Sequence, residues 1–100
     1  MHVISRKRLR EFAKAHPDSE KALDTWYRVA KGASWTKLID VQRVYPAAEA
    51  VNRFTVFNVR GNHYRIITVI NYPGQIIFIR AVLTHAGYDK DRWKSGPRSN

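Results

Sequence analysis

Residues 53–83 read RFTVFNVRGNHYRIITVINYPGQIIFIRAVL, with three segments rich in Ile, Val, Phe and Tyr. We predict strands at 53–59, 64–72 and 76–83, because β-branched and aromatic side chains favour extended backbone. The segments RGNH and YPGQ between them carry the Gly, Asn and Pro that are typical of tight turns. The stretch therefore predicts an antiparallel meander of three strands.

The chain before this meander has helical periodicity. Residues 2–4 predict a brief first strand, and Ser5 is placed to cap a helix that follows it. A second helix is predicted with Asp18 as its cap and Gly32 as its stop, and a short or irregular helix within 34–46. The order predicts an α+β domain, β-α-α-β-β-β, with two helices packed on one face of an antiparallel sheet.

The composition constrains the partner and the compartment. Lys and Arg outnumber Asp and Glu by 18 to 8, a formal charge of +10, which predicts nucleic acid, an anionic membrane surface or an acidic protein as partner. The chain has no cysteine, so it has neither disulfides nor thiolate zinc sites. Its apolar runs are too short to span a membrane. We expect one soluble, cytoplasmic domain over residues 1–92, followed by a flexible basic tail at 93–100.

The strand register brings polar residues together. If the Pro-Gly of YPGQ forms a two-residue loop, Arg65 and Arg80 become diagonal neighbours on one face of the sheet. A two-residue Gly-Asn loop in RGNH would place Asn58 opposite Arg65, whereas a three-residue loop would turn Asn58 to the other face. The face expected to receive the helices carries Phe57, Ile66, Ile70, Ile77, Ile79 and Leu83.

Two interpretations of the arginines stay open at this point. Each could pair with a carboxylate such as Asp89 or Asp91 and merely seal the edge of the sheet. Alternatively, Arg65 and Arg80 together bind a phosphate, which a planar guanidinium can hold through two oxygens. The small number of acidic residues favours the phosphate.

The segment 84–90, THAGYDK, follows the last strand directly and is either a polar turn or a site. The chain has no cysteine nucleophile, glycine-rich phosphate loop or HExxH motif, and its four histidines lack metal-ligand spacing. Arginines, a histidine and a tyrosine suffice, without metal or cofactor, to cleave RNA by attack of its own 2′-hydroxyl on the adjacent phosphate. Histidine titrates near ~6.5, so His85 is a candidate base or acid.

Two blocks, VFNVRGNHYRIITVI and IFIRAVLTHAGYDK, resemble the HigB-family toxins, the messenger-RNA endonucleases (mRNA interferases) of type II toxin–antitoxin systems with a RelE-like fold. The opening MHVISRKRLREFAKAHP resembles the first strand and basic helix of that family, and the resemblance covers about residues 1–92. It implies cleavage of mRNA in the ribosomal A site. It also implies a HigA-type helix-turn-helix antitoxin, which together with the toxin binds operator DNA.

Matched by position, the resemblance gives the catalytic roles to Arg65, Arg80, His85 and Tyr88. It does not decide whether His85 or Tyr88 is the base. The candidate RNA contacts are Asn58, Asn62, Lys37, Lys90 and Arg92. Two other functions stay open: a non-catalytic RNA- or ribosome-binding module, in which Tyr88 and Trp93 stack on bases, and a gyrase-targeting toxin of the same fold.

Overall fold

A computed structural model describes residues 1–90 and 92–95 of the chain, without the side chains of Arg92 and Ser95. Its elements, in chain order, are β1 (His2–Ile4), α1 (Arg6–Ala15), a 3-10 turn (Pro17–Ser19), α2 (Glu20–Gly32), α3 (Leu38–Val44), β2 (Glu49–Val51), β3 (Phe54–Val59), β4 (Tyr64–Asn71), β5 (Ile76–Thr84), α4 (His85–Asp89) and α5 (Arg92–Ser95). The predicted tail thus begins within α5, and its residues 96–100 lie outside the described part of the chain.

The strands form one five-stranded sheet in the order β1-β5-β4-β3-β2. The α+β class and the β3-β4-β5 meander are confirmed. The prediction of a wholly antiparallel sheet is wrong, because β1 pairs with β5 in parallel. No local turn joins these two strands, so nothing near residues 2–4 reveals their direction. Strand β2 was not predicted, since its sequence Glu-Ala-Val has only one strong strand former.

A β-bulge interrupts the pairing of β4 with β5. From the turn inward the strands pair as predicted, as far as Thr68 opposite Ile79. Arg80 is then an extra residue, so that Ile67 pairs with Ala81 and every later partner is displaced by one position. The predicted diagonal register of Arg80 is therefore wrong, although the two-residue loops themselves are confirmed by the 3.1 Å and 3.2 Å bonds that close them.

The main core lies between the sheet and helices α1 and α2, as predicted. Trp26 of α2 is fully buried and meets Phe57 of β3 edge to face, with 5.2 Å between ring centroids. The bulge corrects one expectation about this core. Val82 packs against it, whereas Leu83 joins a second cluster on the opposite face of the sheet.

The helix caps follow the sequence at one position and depart from it at another. The hydroxyl of Ser5 accepts a 3.1 Å hydrogen bond from the N–H of Lys7, as predicted for a cap. Asp18 does not cap α2, which begins two residues later after the 3-10 turn. Its carboxylate instead accepts from the hydroxyl of Tyr64, and this contact joins the helices to the start of β4.

The second cluster covers part of the face of the sheet that points away from α1 and α2. Phe54, Val56 and Ile67 are buried there beneath Tyr88 and Trp93, which α4 and α5 bring onto the sheet. The rest of this face, towards β1, carries no helix in the described part of the chain. Among the described helices, none has the length and apolar character that a membrane crossing requires.

Candidate functional site

The site lies at one end of the sheet, where the 60–63 turn meets α4. The backbone N–H of His85 donates to the carbonyl of His63 at 3.0 Å, which continues the β4–β5 pairing past its last strand residue. Thr84 caps α4 by accepting from the N–H of Gly87 at 3.1 Å. The THAGYDK segment is therefore a short helix held against a turn, and not a polar turn itself.

Arg65 is buried at the centre of the site, with 6% of its surface exposed. Its guanidinium donates to the side-chain oxygen of Asn62 at 2.8 Å and to the backbone oxygen of Asn62 at 3.1 Å. It also lies 5.0 Å from the ring centroid of Tyr88, a cation–π distance. These contacts hold the turn, the strand and α4 together. Among the described residues, Arg65 pairs with no carboxylate.

The same guanidinium sets the protonation pattern of His85. The Nη2 of Arg65 lies 3.1 Å from the Nδ1 of His85, and because arginine only donates, Nδ1 must be the acceptor. In the neutral ring the hydrogen is therefore on Nε2, which lies 3.3 Å from a carboxylate oxygen of Asp89. The side chain of His85 is half exposed, and its Nε2–H can donate to the Asp89 carboxylate.

The ring of Tyr88, on α4, lies beside the guanidinium of Arg65. Its ring stacks on Trp93 with 5.0 Å between centroids, and the indole N–H of Trp93 donates to the backbone oxygen of Tyr88 at 2.9 Å. Its hydroxyl donates to Glu49 of β2 at 3.0 Å. Tyr88 is thus held on its ring faces and at its hydroxyl, and it supports Arg65 from below.

Arg80 lies on the same face of the sheet in a different environment. It alternates along β5 with the buried Ile77 and Ile79, so its side chain points away from the helices, towards the face that also carries Arg65. Arg80 is exposed, and among the described residues its side chain has no hydrogen-bond or ion-pair partner. Its charge is available to a ligand.

A pocket of about 480 Å³ opens beside His85, lined by Asn62, His63, Tyr64, Thr84, His85 and Ala86. Its support comes from Asp18, which accepts both 2.8 Å contacts from the Tyr64 hydroxyl and lies 3.6 Å from Arg60. The Tyr64 hydrogen bond and the Arg60 charge lower the pKa of Asp18 against the opposing effect of burial. The carboxylate therefore stays ionised and anchors the turn.

The structure places some of the remaining predicted RNA contacts near the pocket and Lys37 away from it. Asn62 lines the pocket, Asn58 is half-buried opposite Arg65, and Lys90 is exposed after α4. Lys37 lies elsewhere. The carbonyl of Trp35, two residues before Lys37, accepts a 2.7 Å hydrogen bond from the side chain of Gln75. Gln75 precedes β5 at the end of the strand opposite the pocket, and the length of β5 puts it about 27 Å from the pocket. The side chain of Arg92 lies outside the described residues.

Sequence reasoning missed three contributors to this site: His63, Glu49 and Asp89. Glu49 was missed because its strand was not predicted. Asp89 was considered only as an arginine partner, whereas the helical spacing of four residues puts it beside His85. His63 comes opposite His85 only through the bulge at Arg80, which no sequence signal announces. Within the described residues, no three His, Asp or Glu side chains are grouped as metal ligands.

Comparisons with known proteins identify the family of this chain. Residues 19–91 match the family model HigB_toxin, described as the RelE-like toxic component of a toxin–antitoxin system. The mRNA interferase HigB of Escherichia coli O6:H1 is 31% identical in an alignment 93 residues long that covers 90% of this chain and 90% of that protein. The mRNA interferase toxin HigB of Escherichia coli K12 is 28% identical over 92 residues, 89% of this chain and 88% of that protein.

Proposed function

The chain belongs to the HigB family of RelE-like toxins, the toxic components of toxin–antitoxin systems, and we propose that it is an endoribonuclease that cleaves mRNA during translation. The alignment with a relative named mRNA interferase covers nine-tenths of the chain, and the family model spans residues 19–91, the range in which the site lies. The observation that carries the proposal is the state of His85. Its Nε2–H is fixed as a hydrogen-bond donor by the buried Arg65, which lies on the same face of the sheet as the unpaired charge of Arg80.

The chemistry follows from these two groups. The 2′-oxygen of the RNA attacks the adjacent phosphorus, so that the O2′–P bond forms and the P–O5′ bond breaks. The Nε2–H of His85 donates a hydrogen bond to the departing 5′-oxygen, which takes its proton from water, and Arg80 holds the non-bridging oxygens as charge develops on them. The products are a 2′,3′-cyclic phosphate and a 5′-hydroxyl. Arg65 acts through His85, since its own donors are engaged by Asn62 and the imidazole.

The finer partners belong to the same proposal. The RNA is presented on the ribosome, and Asn58, Asn62 and Lys90 contact it near the scissile phosphate. Arg92, which follows α4 closely in sequence, is a further proposed RNA contact. The antitoxin is of the HigA type, with a helix-turn-helix domain through which the complex binds its operator. The protein works in the cytoplasm, where its substrate is.

The test is brief induction of the toxin without antitoxin, followed by primer extension on cellular mRNA with and without active translation. We expect cuts within coding sequence that require translation. A 2′-deoxy nucleotide at the cut site of a defined mRNA should abolish cleavage, because it removes the nucleophile. Cleavage of that substrate would refute the mechanism. Growth arrest with intact mRNA would favour the binding module, and DNA breaks would favour a gyrase-targeting toxin.

A further inference from the structure

His63 is a second histidine of the pocket, and its protonation pattern is the reverse of that of His85. It lies in the 60–63 turn, where its Nδ1 is 2.9 Å from the carbonyl oxygen of Arg60. A carbonyl only accepts, so Nδ1 carries the hydrogen. In the neutral ring the lone pair is therefore on Nε2. His63 is exposed, and this nitrogen is accessible as a proton acceptor.

The two histidines face one cavity. Tyr64 pairs with Thr84, which puts the next positions outward, His63 and His85, opposite each other. The 3.0 Å bond from the His85 N–H to the His63 carbonyl joins them directly, and both line the same pocket of about 480 Å³. The lining of the pocket thus includes a histidine with an accepting Nε2 and a histidine with an Nε2–H donor.

Charged and titratable groups surround His63 from each neighbouring element. Arg60 shares its turn, and Tyr64 of β4 lies 6.3 Å away between ring centroids, with Asp18 behind its hydroxyl. His85 faces it from α4, flanked by Asp89 and by Arg65. The ionic neighbours of His63 are therefore two carboxylates, two arginines and one histidine. Neither carboxylate contacts the His63 ring, so its Nε2 has no acidic partner among the described residues.

We propose that His63 is the general base of the reaction, a role that rests on the proposed function and assigns its missing proton acceptor. His63 Nε2 takes the proton of the 2′-hydroxyl as the O2′–P bond forms. The Nε2–H of His85 donates a hydrogen bond to the 5′-oxygen, and a water molecule protonates that oxygen as the P–O5′ bond breaks. His63 becomes an imidazolium and the water that protonates the 5′-oxygen is left as hydroxide, so transfer of the His63 proton to that hydroxide restores the starting state.

Substitution by Asn separates this role from the structural one. In His63→Asn the amide N–H can take the place of Nδ1 and keep the bond to Arg60, while the Nε2 lone pair is lost. In His85→Asn the amide oxygen can still accept from Arg65, while the Nε2–H is lost. His2→Asn, at an exposed histidine of β1, is the matched control. Circular dichroism and thermal midpoints check the fold of each variant.

The experiment compares two RNA substrates, one with oxygen and one with sulfur at the 5′ leaving position. Both are presented under the conditions in which the wild type cleaves, on the ribosome if it requires one. A thiol has a pKa near ~8.5, far below that of an alcohol, so the sulfur departs without a proton. On the oxygen substrate, His63→Asn should cleave ~10²–10⁴-fold more slowly than the wild type, and His85→Asn ~10²–10³-fold more slowly. On the sulfur substrate, His85→Asn should recover and His63→Asn should stay impaired. His2→Asn should match the wild type on both.

Three results would overturn the assignment while leaving the nuclease intact: normal cleavage by His63→Asn, its recovery on the sulfur substrate, or loss of the same size in His2→Asn. If His63→Asn does not fold, His63→Ala with added imidazole replaces it. A loss that imidazole restores supports the base, and a folded His63→Ala with wild-type cleavage contradicts it. Absence of cleavage by the wild type would instead contradict the proposed function itself.

Discussion

Arg65 and Arg80 are both arginines on the same face of the sheet, yet their substitutions should have different consequences. Loss of the Arg65 guanidinium should lower the stability of the fold, whereas loss of the Arg80 guanidinium should lower the cleavage rate. Arg65→Met keeps the apolar stem and removes the guanidinium, which makes two direct bonds to Asn62, at 2.8 Å and 3.1 Å. Hydrogen bonds to charged groups contribute about 1.5–3 kcal/mol each. Water can replace part of this, because Asn62 is exposed. We therefore expect the free energy of unfolding to fall by about 2–4 kcal/mol.

Arg80→Met is the matched control. Arg80 is exposed, and among the described residues its side chain has no hydrogen-bond or ion-pair partner to lose, so the free energy of unfolding should change by less than about 0.5 kcal/mol. Its cleavage rate should nevertheless fall by about 10²–10³-fold, the usual cost of one group that stabilises transition-state charge. Arg80→Lys should recover only part of this loss, because an ammonium cannot hold two phosphate oxygens in one plane.

Urea unfolding followed by tryptophan fluorescence measures the stability of both variants, and single-turnover cleavage of a defined mRNA measures their activity. Cleavage by Arg65→Met should be measured well below its unfolding midpoint, so that loss of fold does not imitate loss of chemistry. Equal stability of Arg65→Met and wild type would refute the structural role of Arg65. Destabilisation of Arg80→Met by as much as Arg65→Met would refute the distinction between the two arginines.

Three further outcomes follow from the contacts. Tyr88→Phe removes a hydroxyl that donates to the exposed Glu49, so cleavage should fall far less than the ~10²–10⁴-fold typical of a proton-transfer group; a loss in that range would make Tyr88 a proton donor or acceptor. The lowered pKa of Asp18 means that its ionised form stabilises the fold above pH 3.8 and that this contribution is lost as the pH falls below it. Asp18→Asn should therefore be less stable than wild type in urea at pH 7, with a smaller difference at pH 3. Antitoxin affinity should fall with rising salt, since a protein of charge +10 favours an acidic partner, and a salt-independent affinity would contradict this.

The sequence by itself determined the elements whose causes are local. The meander, its two turns and the Ser5 cap depend on side chains within a few positions of each other, and all were found where they were predicted. The pairing of Asn58 with Arg65 followed from the length of one turn. Alternation along the strands likewise identified the face that receives the helices, as far as the bulge.

Long-range contacts decided the rest. Asp18 is a residue type that often caps helices, but its carboxylate instead accepts a hydrogen bond from the hydroxyl of Tyr64, which is distant in sequence. No turn fixes the direction of β1, so its parallel pairing is decided by its contact with the open edge of β5. Strand β2 forms because β3 offers it an edge, despite weak propensity, and it brings Glu49 to Tyr88. In each case the partner is invisible from the neighbouring sequence.

The bulge at Arg80 is the most consequential of these tertiary features. Regular pairing from the Tyr72–Gln75 turn would have put His63 opposite Thr84, and one extra residue in β5 puts it opposite His85. The same residue carries Leu83 to the second cluster. Strand side chains alternate with a period of two, so a shift of one position exchanges faces and partners for everything beyond it. Residue types therefore supplied the chemistry of the site, and the register of two strands decided which groups face each other.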